Sequence, residues 1–287
     1  MVLRALGDGF KGLRGQGRLL LVYYLANLCF ALLMAWPMKI LLGSFAGYRL
    51  DGARLAEGID FPFFTELLEY EPQAWSALMS LALPVTVGYV LFSLFLCGGA
   101  LSLLWEGRGY SASDFWGAAA RYFGAFLRLA LWSLLLLAVL LIGLAVLNLM
   151  VGLAAGGDPY ESTIYWSLML QAVLAGIAVL FISLFLDYGR IHIVVSGQHK
   201  ASQALLEGIR FTLGNLPRTL GLACLVLTLG GAAALLYLTV SNWLDAPQSV
   251  AVWALILLQQ LYILCRMALR LARYGGELSL RGRVLNF

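Results

Sequence analysis

Apolar positions in this chain fall into six long runs, 19–43, 76–105, 125–153, 163–187, 217–241 and 249–272, separated by shorter polar stretches. Each run reaches the about 20 residues that an α-helix needs to cross hydrocarbon. None alternates with a period of two, so they are helices and not barrel strands. The expected fold is all-α: a polytopic membrane protein with six transmembrane helices in a single membrane domain, 1–287. Several runs exceed the minimum and must tilt, bend or protrude into water. Pro37 should kink or end the first span, and Pro84 with Gly88 should bend the second.

Three stretches outside the spans carry apolar residues at helical spacing. In residues 1–18, Ala5, Leu6, Phe10 and Leu13 share a side, with Lys11, Arg14 and Arg18 elsewhere. This predicts a short helix lying in the membrane interface, apolar side in lipid. Phe115, Ala118, Tyr122 and Phe126 repeat the pattern before the third span. The clearest case is Ala201–Asn215, where Leu205, Ile209, Thr212 and Leu216 oppose Gln203, Glu207 and Arg210. On the other side, DFPFFTELLEYEP predicts a short helix that starts at Asp60 and stops before Pro72.

These pieces recur. Cys97, Asp187 and Cys265 lie near the ends of the even-numbered spans, and ten residues on each is followed by a glycine, Gly107, Gly197 and Gly275. Gly9, Ala119 and Gly208 are each followed two residues later by a cation, Lys11, Arg121 and Arg210. A second cation, Arg18, Arg128 or Arg218, leads into the next span. Seven residues make about two helical turns, which places such a cation pair on one side. The expectation is a threefold internal repeat of interfacial helix, span and span, over 1–107, 108–197 and 198–275. The alternative is convergence, since any junction between a span and a loop tends to be basic and glycine-containing.

Charge fixes the orientation. Hydrophobic residues make up 62% of the chain and charged ones 12%, against about 25% charged in a soluble domain. All Lys and Arg except Lys39, Arg49 and Arg54 fall on one side, so both termini are expected in the cytoplasm. The net charge of +4 thus reflects topology, and no basic tract points to nucleic acid. The first run is too long for the apolar core of a cleavable signal, and it reads as a retained span. Cys29, Cys97, Cys224 and Cys265 all sit in apolar runs without CxxC spacing, which reads as buried thiols and not a zinc site or disulfide framework.

Candidate chemistry is sparse. Asp187, Tyr188 and Arg190 form one compact polar group at the inner end of the fourth span. An acid there is a functional candidate, but Arg190 at i+3 makes a local ion pair the preferred reading. His192 and His199, seven apart, lack a carboxylate or Cys partner and read as solvent-side residues, not metal ligands. Asn27, Asn148, Gln171, Gln259 and Gln260 lie in the spans and fit helix–helix hydrogen bonds. Gly143, Gly176, Gly221, Gly230 and Gly231 are expected to be close-packing points. No catalytic constellation, P-loop or Rossmann fingerprint is present, so no cofactor is expected and the chain reads as a non-enzyme.

The segment DYGRIHIVVSG…KASQALLEGIRFTLGNLPR, through Asp187, Tyr188, Arg190, Ile191, Ala204, Gly208, Phe211 and Pro217, resembles uncharacterised bacterial six-span membrane proteins. These are broadly similar to the membrane domain attached to some glycerophosphoryl diester phosphodiesterases. The resemblance implies a bacterial cytoplasmic (inner) membrane location and no established activity, and the soluble phosphodiesterase domain is absent. The expected function is a non-enzymatic scaffold or accessory subunit, the alternative a transporter or flippase-like protein for an apolar or lipid substrate. Expected partners are the bilayer, anionic lipids and a membrane protein. Asp187, Tyr188, Arg190, Arg121, Arg128, Arg210 and Arg218 are the candidate polar or lipid-contacting residues.

Overall fold

A computed structural model describes residues 1–46, 72–154, 161–197, 200–244 and 249–285, with Thr65 and Glu69. Eight helices occur among the described residues: α1 (Val2–Leu13), α2 (Gly17–Ala46), α3 (Pro72–Glu106), α4 (Ala112–Ala154), α5 (Glu161–Ser196), α6 (Ala201–Gly214), α7 (Leu216–Trp243) and α8 (Ser249–Leu285). Six of them, all but α1 and α6, are long and apolar enough to cross a membrane. The predicted helix from Asp60 lies almost wholly outside the described residues. Pro72 begins α3 instead of following a helix end. α2 and α3 run on through Pro37 and Pro84. A span tolerates proline because neighbouring helices and local adjustments satisfy the freed carbonyl.

Burial is concentrated at the basic end of the bundle. The buried core is built from 94–103, 115–129, 184–194 and 271–280, with Leu19, Tyr23 and the inner face of α6. Towards the other end the helices are apolar all round and exposed, as at Leu149, Leu153, Leu235, Leu236 and Trp253. In lipid such residues gain nothing by burial, so association there depends on a few specific contacts. Tyr24 donates to Gln260 Oε1 across 2.8 Å between α2 and α8, and Tyr89 donates to Asn27 Oδ1 at 3.4 Å between α3 and α2. These polar residues bond helix to helix, as expected of them. The thiols divide: Cys97 is buried, while Cys29, Cys224 and Cys265 are exposed on apolar helices.

At the basic end α3, α5 and α8 touch one another, and each carries a second helix laid closely across it. The three crossings share a register. An added Cβ on Gly99, Gly189 or Gly276 would lie 2.7, 3.2 or 3.3 Å from the carbonyl oxygen of Phe115, Ala204 or Ala5. Four residues further along the crossing helices stand Ala119, Gly208 and Gly9. A Cβ on Gly208 would lie 2.8 Å from Gly189 N, and one on Gly9 the same distance from Gly276 N. Small residues at such points let backbones approach closely. In this register Cys97 and Asp187 correspond to Tyr274 and not to Cys265.

The crossing also corrects the reading of α1. Ala5, Leu6 and Gly9 are buried against α8 and not in lipid. Asp8 accepts from Ser279 Oγ at 3.0 Å and pairs with Arg283. α8 runs on through Gly275 and Gly276, where α1 crosses it, and continues to Leu285.

Gly107 and Gly197 do end their helices, at φ 63° and 68°. Only glycine takes that left-handed conformation without steric cost. Nothing lies within 4 Å of an added Cβ at either site, so the cost of alanine is backbone strain alone. Gly197→Ala is expected to lose about 1–2 kcal/mol. An unchanged unfolding temperature for this variant would contradict the left-handed cap.

Candidate functional site

On α8, Arg266, Arg270, Arg273, Glu277 and Arg281 follow one another at intervals of three or four. This spacing puts them on one face of the helix, a polar stripe on its basic-end half. The neighbouring helices answer it. Arg270 donates to Ser93 Oγ of α3 and, through Nε, to the Tyr274 hydroxyl at 3.0 Å. Arg273 donates to Glu277 Oε1 at 2.8 Å, to Ser183 Oγ of α5 at 3.2 Å, and to the Asp187 carboxylate. Arg281 donates to the Tyr188 carbonyl at 3.0 Å and faces His192 Nδ1.

Asp187 also accepts from Arg190 Nη1 at 3.1 Å. The local ion pair read from the sequence exists, but it is half of the arrangement. The same carboxylate bridges α5 to α8, which no spacing within one helix foretells. Its side chain is 9% exposed and that of Glu277 3%. Carboxylates this buried are tolerated only when paired and hydrogen-bonded.

Ser183, Asp187, Arg190, Arg266, Arg270 and Arg273 border a cleft of about 850 Å³ between α5, α7 and α8. Its other wall is apolar: Val226, Leu227, Gly230, Gly231 and Ala234 of α7. The size falls within the range of small-molecule sites, about 300–1,000 Å³. Leu227, Gly231 and Arg266 are exposed at its edge, so it is open along one side. A second cavity of about 260 Å³, between α5 and α4, is also bordered by Ser183, Asp187 and Arg190. Asp187 and Arg190 therefore stand between two hollows.

Depth follows from helix length. About 20 residues of α8, counted from Ser249, cross the hydrocarbon. Arg266–Arg273 then lie near its basic-side boundary. Val226–Ala234 spans eight residue steps of α7, about 12 Å, and carries the cleft deeper into the apolar layer. Nothing lies within 4 Å of an added Cβ at Gly230 or Gly231. These glycines make space, and so do not pack closely as the sequence led us to expect. The same correction applies to Gly143 and Gly176, whereas Gly221 does touch Val2, at 3.3 Å.

The other sequence candidates go elsewhere. Tyr188 turns away from the cleft and packs its ring on Phe211, with centroids 4.8 Å apart. Arg121, Arg128, Arg210 and Arg218 are exposed and do not border the cleft. Arg210 pairs with Glu207 at 3.2 Å. Arg128 borders a separate groove of about 500 Å³ with Lys200 and Trp132. His192 is not a solvent-side residue but half-buried against Arg281, which approaches from α8. α5 stops at Ser196, so no continuous helix joins it to His199, which lies outside the described residues. The arginines of α8 were missed by the sequence reading, although their three-and-four spacing was a visible signal.

The family model described as Domain of unknown function (DUF7847) matches residues 1–269. No curated protein and no solved structure matches the chain significantly. Nothing in these comparisons links it to glycerophosphoryl diester phosphodiesterases.

Proposed function

The chain belongs to the DUF7847 family, and from that premise we propose that it is a non-enzymatic lipid-handling protein that takes an amphiphile from the bilayer into the cleft between α5, α7 and α8. We place it in the bacterial cytoplasmic membrane with both termini inside, on the distribution of Lys and Arg. The observation that carries the reading is the cleft itself: one wall of arginines near the headgroup level, one apolar wall reaching into hydrocarbon, and an open side. This favours the transporter or flippase-like alternative over the scaffold. Most of the apolar residues expected in the interface are occupied within the chain, since α1, the start of α4 and α6 bury them on α8, α3 and α5, although Phe10 stays exposed. The matching registers of the three crossings support a threefold repeat close to 1–107, 108–197 and 198–275, with the third unit extended along α8.

Mass spectrometry of protein extracted with its native lipids, without detergent, tests the function. A co-purifying amphiphile near one per protein is the expected result. A stoichiometric membrane-protein partner with no retained amphiphile would restore the scaffold.

A further inference from the structure

The geometry points to the headgroup that the cleft takes: a lipid phosphomonoester. This rests on the lipid-handling reading above and adds the chemistry of the substrate.

The inference starts from a charge imbalance. Four guanidiniums, Arg190, Arg266, Arg270 and Arg273, border the cleft, and two carboxylates lie among them. Both carboxylates are already engaged, Asp187 by Arg190 and Arg273 and Glu277 by Arg273. Arg270 holds only the neutral hydroxyls of Ser93 and Tyr274 and lies over aromatic rings. Arg266 has only the Tyr262 ring, 5.9 Å from its guanidinium carbon. Neither has a carboxylate partner among the described residues. Two cations are thus uncompensated close to hydrocarbon, where charge is costly unless paired. Arg190, which borders the same cleft from α5, has its Nε buried without a hydrogen-bond partner.

Arg266 and Arg270 are one turn apart on one face, about 5–6 Å between their Cβ atoms. Two long guanidiniums at that spacing can converge on one tetrahedral anion, with the paired hydrogen bonds that arginine makes to phosphate. A dianion matches two uncompensated cations. A phosphomonoester carries between one and a half and two negative charges near neutral pH, whereas a phosphodiester carries one and a zwitterionic headgroup none net. The wall of α7 selects for a lipid over free phosphate. Gly230 and Gly231 leave an apolar channel beside the arginines that a chain fills and that inorganic phosphate leaves empty.

The test uses the full chain in nanodiscs of phosphatidylcholine carrying 5% phosphatidic acid, phosphatidylglycerol or phosphatidylethanolamine. Bound lipid is read by native mass spectrometry. Phosphatidic acid should be retained at least tenfold over the other two. Arg266→Gln, at the exposed edge of the cleft, should remove most of that preference. Gly231→Leu should reduce retention of all three lipids by filling the apolar wall. Unfolding temperatures of both variants show whether each still folds. Retention of lipid without preference for phosphatidic acid would overturn the phosphomonoester and leave lipid handling intact. No retained lipid at all would overturn both. Displacement of phosphatidic acid by millimolar inorganic phosphate would show the site to be one for free phosphate, and would overturn the lipid source.

Discussion

Alanine at Gly208 is expected to lower the unfolding temperature of the purified protein by about 5 °C, and alanine at Gly230 hardly at all. Both are glycines in helices of an apolar chain, so helix propensity treats them alike and favours alanine by about 1 kcal/mol. Their surroundings separate them. At Gly208 the new methyl would lie 2.8 Å from Gly189 N and in overlap with the Phe185 carbonyl oxygen. Both are backbone atoms and cannot rotate aside. α6 must lift from α5, and overpacking of this kind costs about 1–3 kcal/mol, occasionally more. A few degrees per kcal/mol give the expected shift. At Gly230 the methyl enters the cleft. Thermal unfolding of the two variants in one detergent decides the matter. Equal temperatures would mean that the close crossings do not hold the bundle together. Gly9→Ala, against Gly276, should behave like Gly208→Ala.

The second large effect is expected at Asp187. Asp187→Asn keeps the side chain's shape but removes the charge that holds Arg190 of α5 and Arg273 of α8. Breaking one partner of a buried pair costs about 3–5 kcal/mol, because the remaining charge is left uncompensated. Here Arg190 loses its carboxylate partner, Arg273 keeps only Glu277, and Arg266 and Arg270 border the same cleft. The double variant Asp187→Asn, Arg190→Gln should recover part of the loss, since it removes a cation with the anion and leaves the Arg273–Glu277 pair intact. A single variant as stable as the parent, or a double variant worse than the single, would contradict the pairing of Asp187. The same single variant raises the net positive charge of the cleft, so the proposed phosphate should stabilise it more than it stabilises the parent.

Hydropathy alone located the spans, because 20 apolar residues in a row have few other uses. The inner faces of α6 and the start of α4 were legible for a similar reason: Leu205 and Thr212, or Phe115 and Phe126, keep helical period against polar neighbours. The offset between Gly9, Ala119 and Gly208 could be read too, since each is tied to a nearby cation. What stayed hidden was pairing. Asp187 and Arg273 meet across two helices and eighty-six positions, and nothing local to either marks the other. Arg266, Arg270 and Arg273 read as part of an ordinary basic helix end, the feature that orientation rules use and then set aside. Glycine was the other difficulty. It states that a side chain is absent, but not whether the space holds a neighbouring backbone, as at Gly208, or stays open, as at Gly230. Gly275 and Gly276 are of the first kind, a crossing point inside a continuous helix.

The seating of α1 on α8 has a consequence for biosynthesis. Residues 5–9 rest on 272–276, so α1 docks on a helix that is translated well after it. At about 5–20 residues per second, roughly 15–50 s of translation separate the two. Through that interval α1 has no seat. Ala5 and Leu6 wait in the headgroup layer as an amphipathic float, while Asp8 waits for Arg283 and Ser279. Until α8 emerges this crossing stays open, and it closes only when α8 captures a segment made long before it.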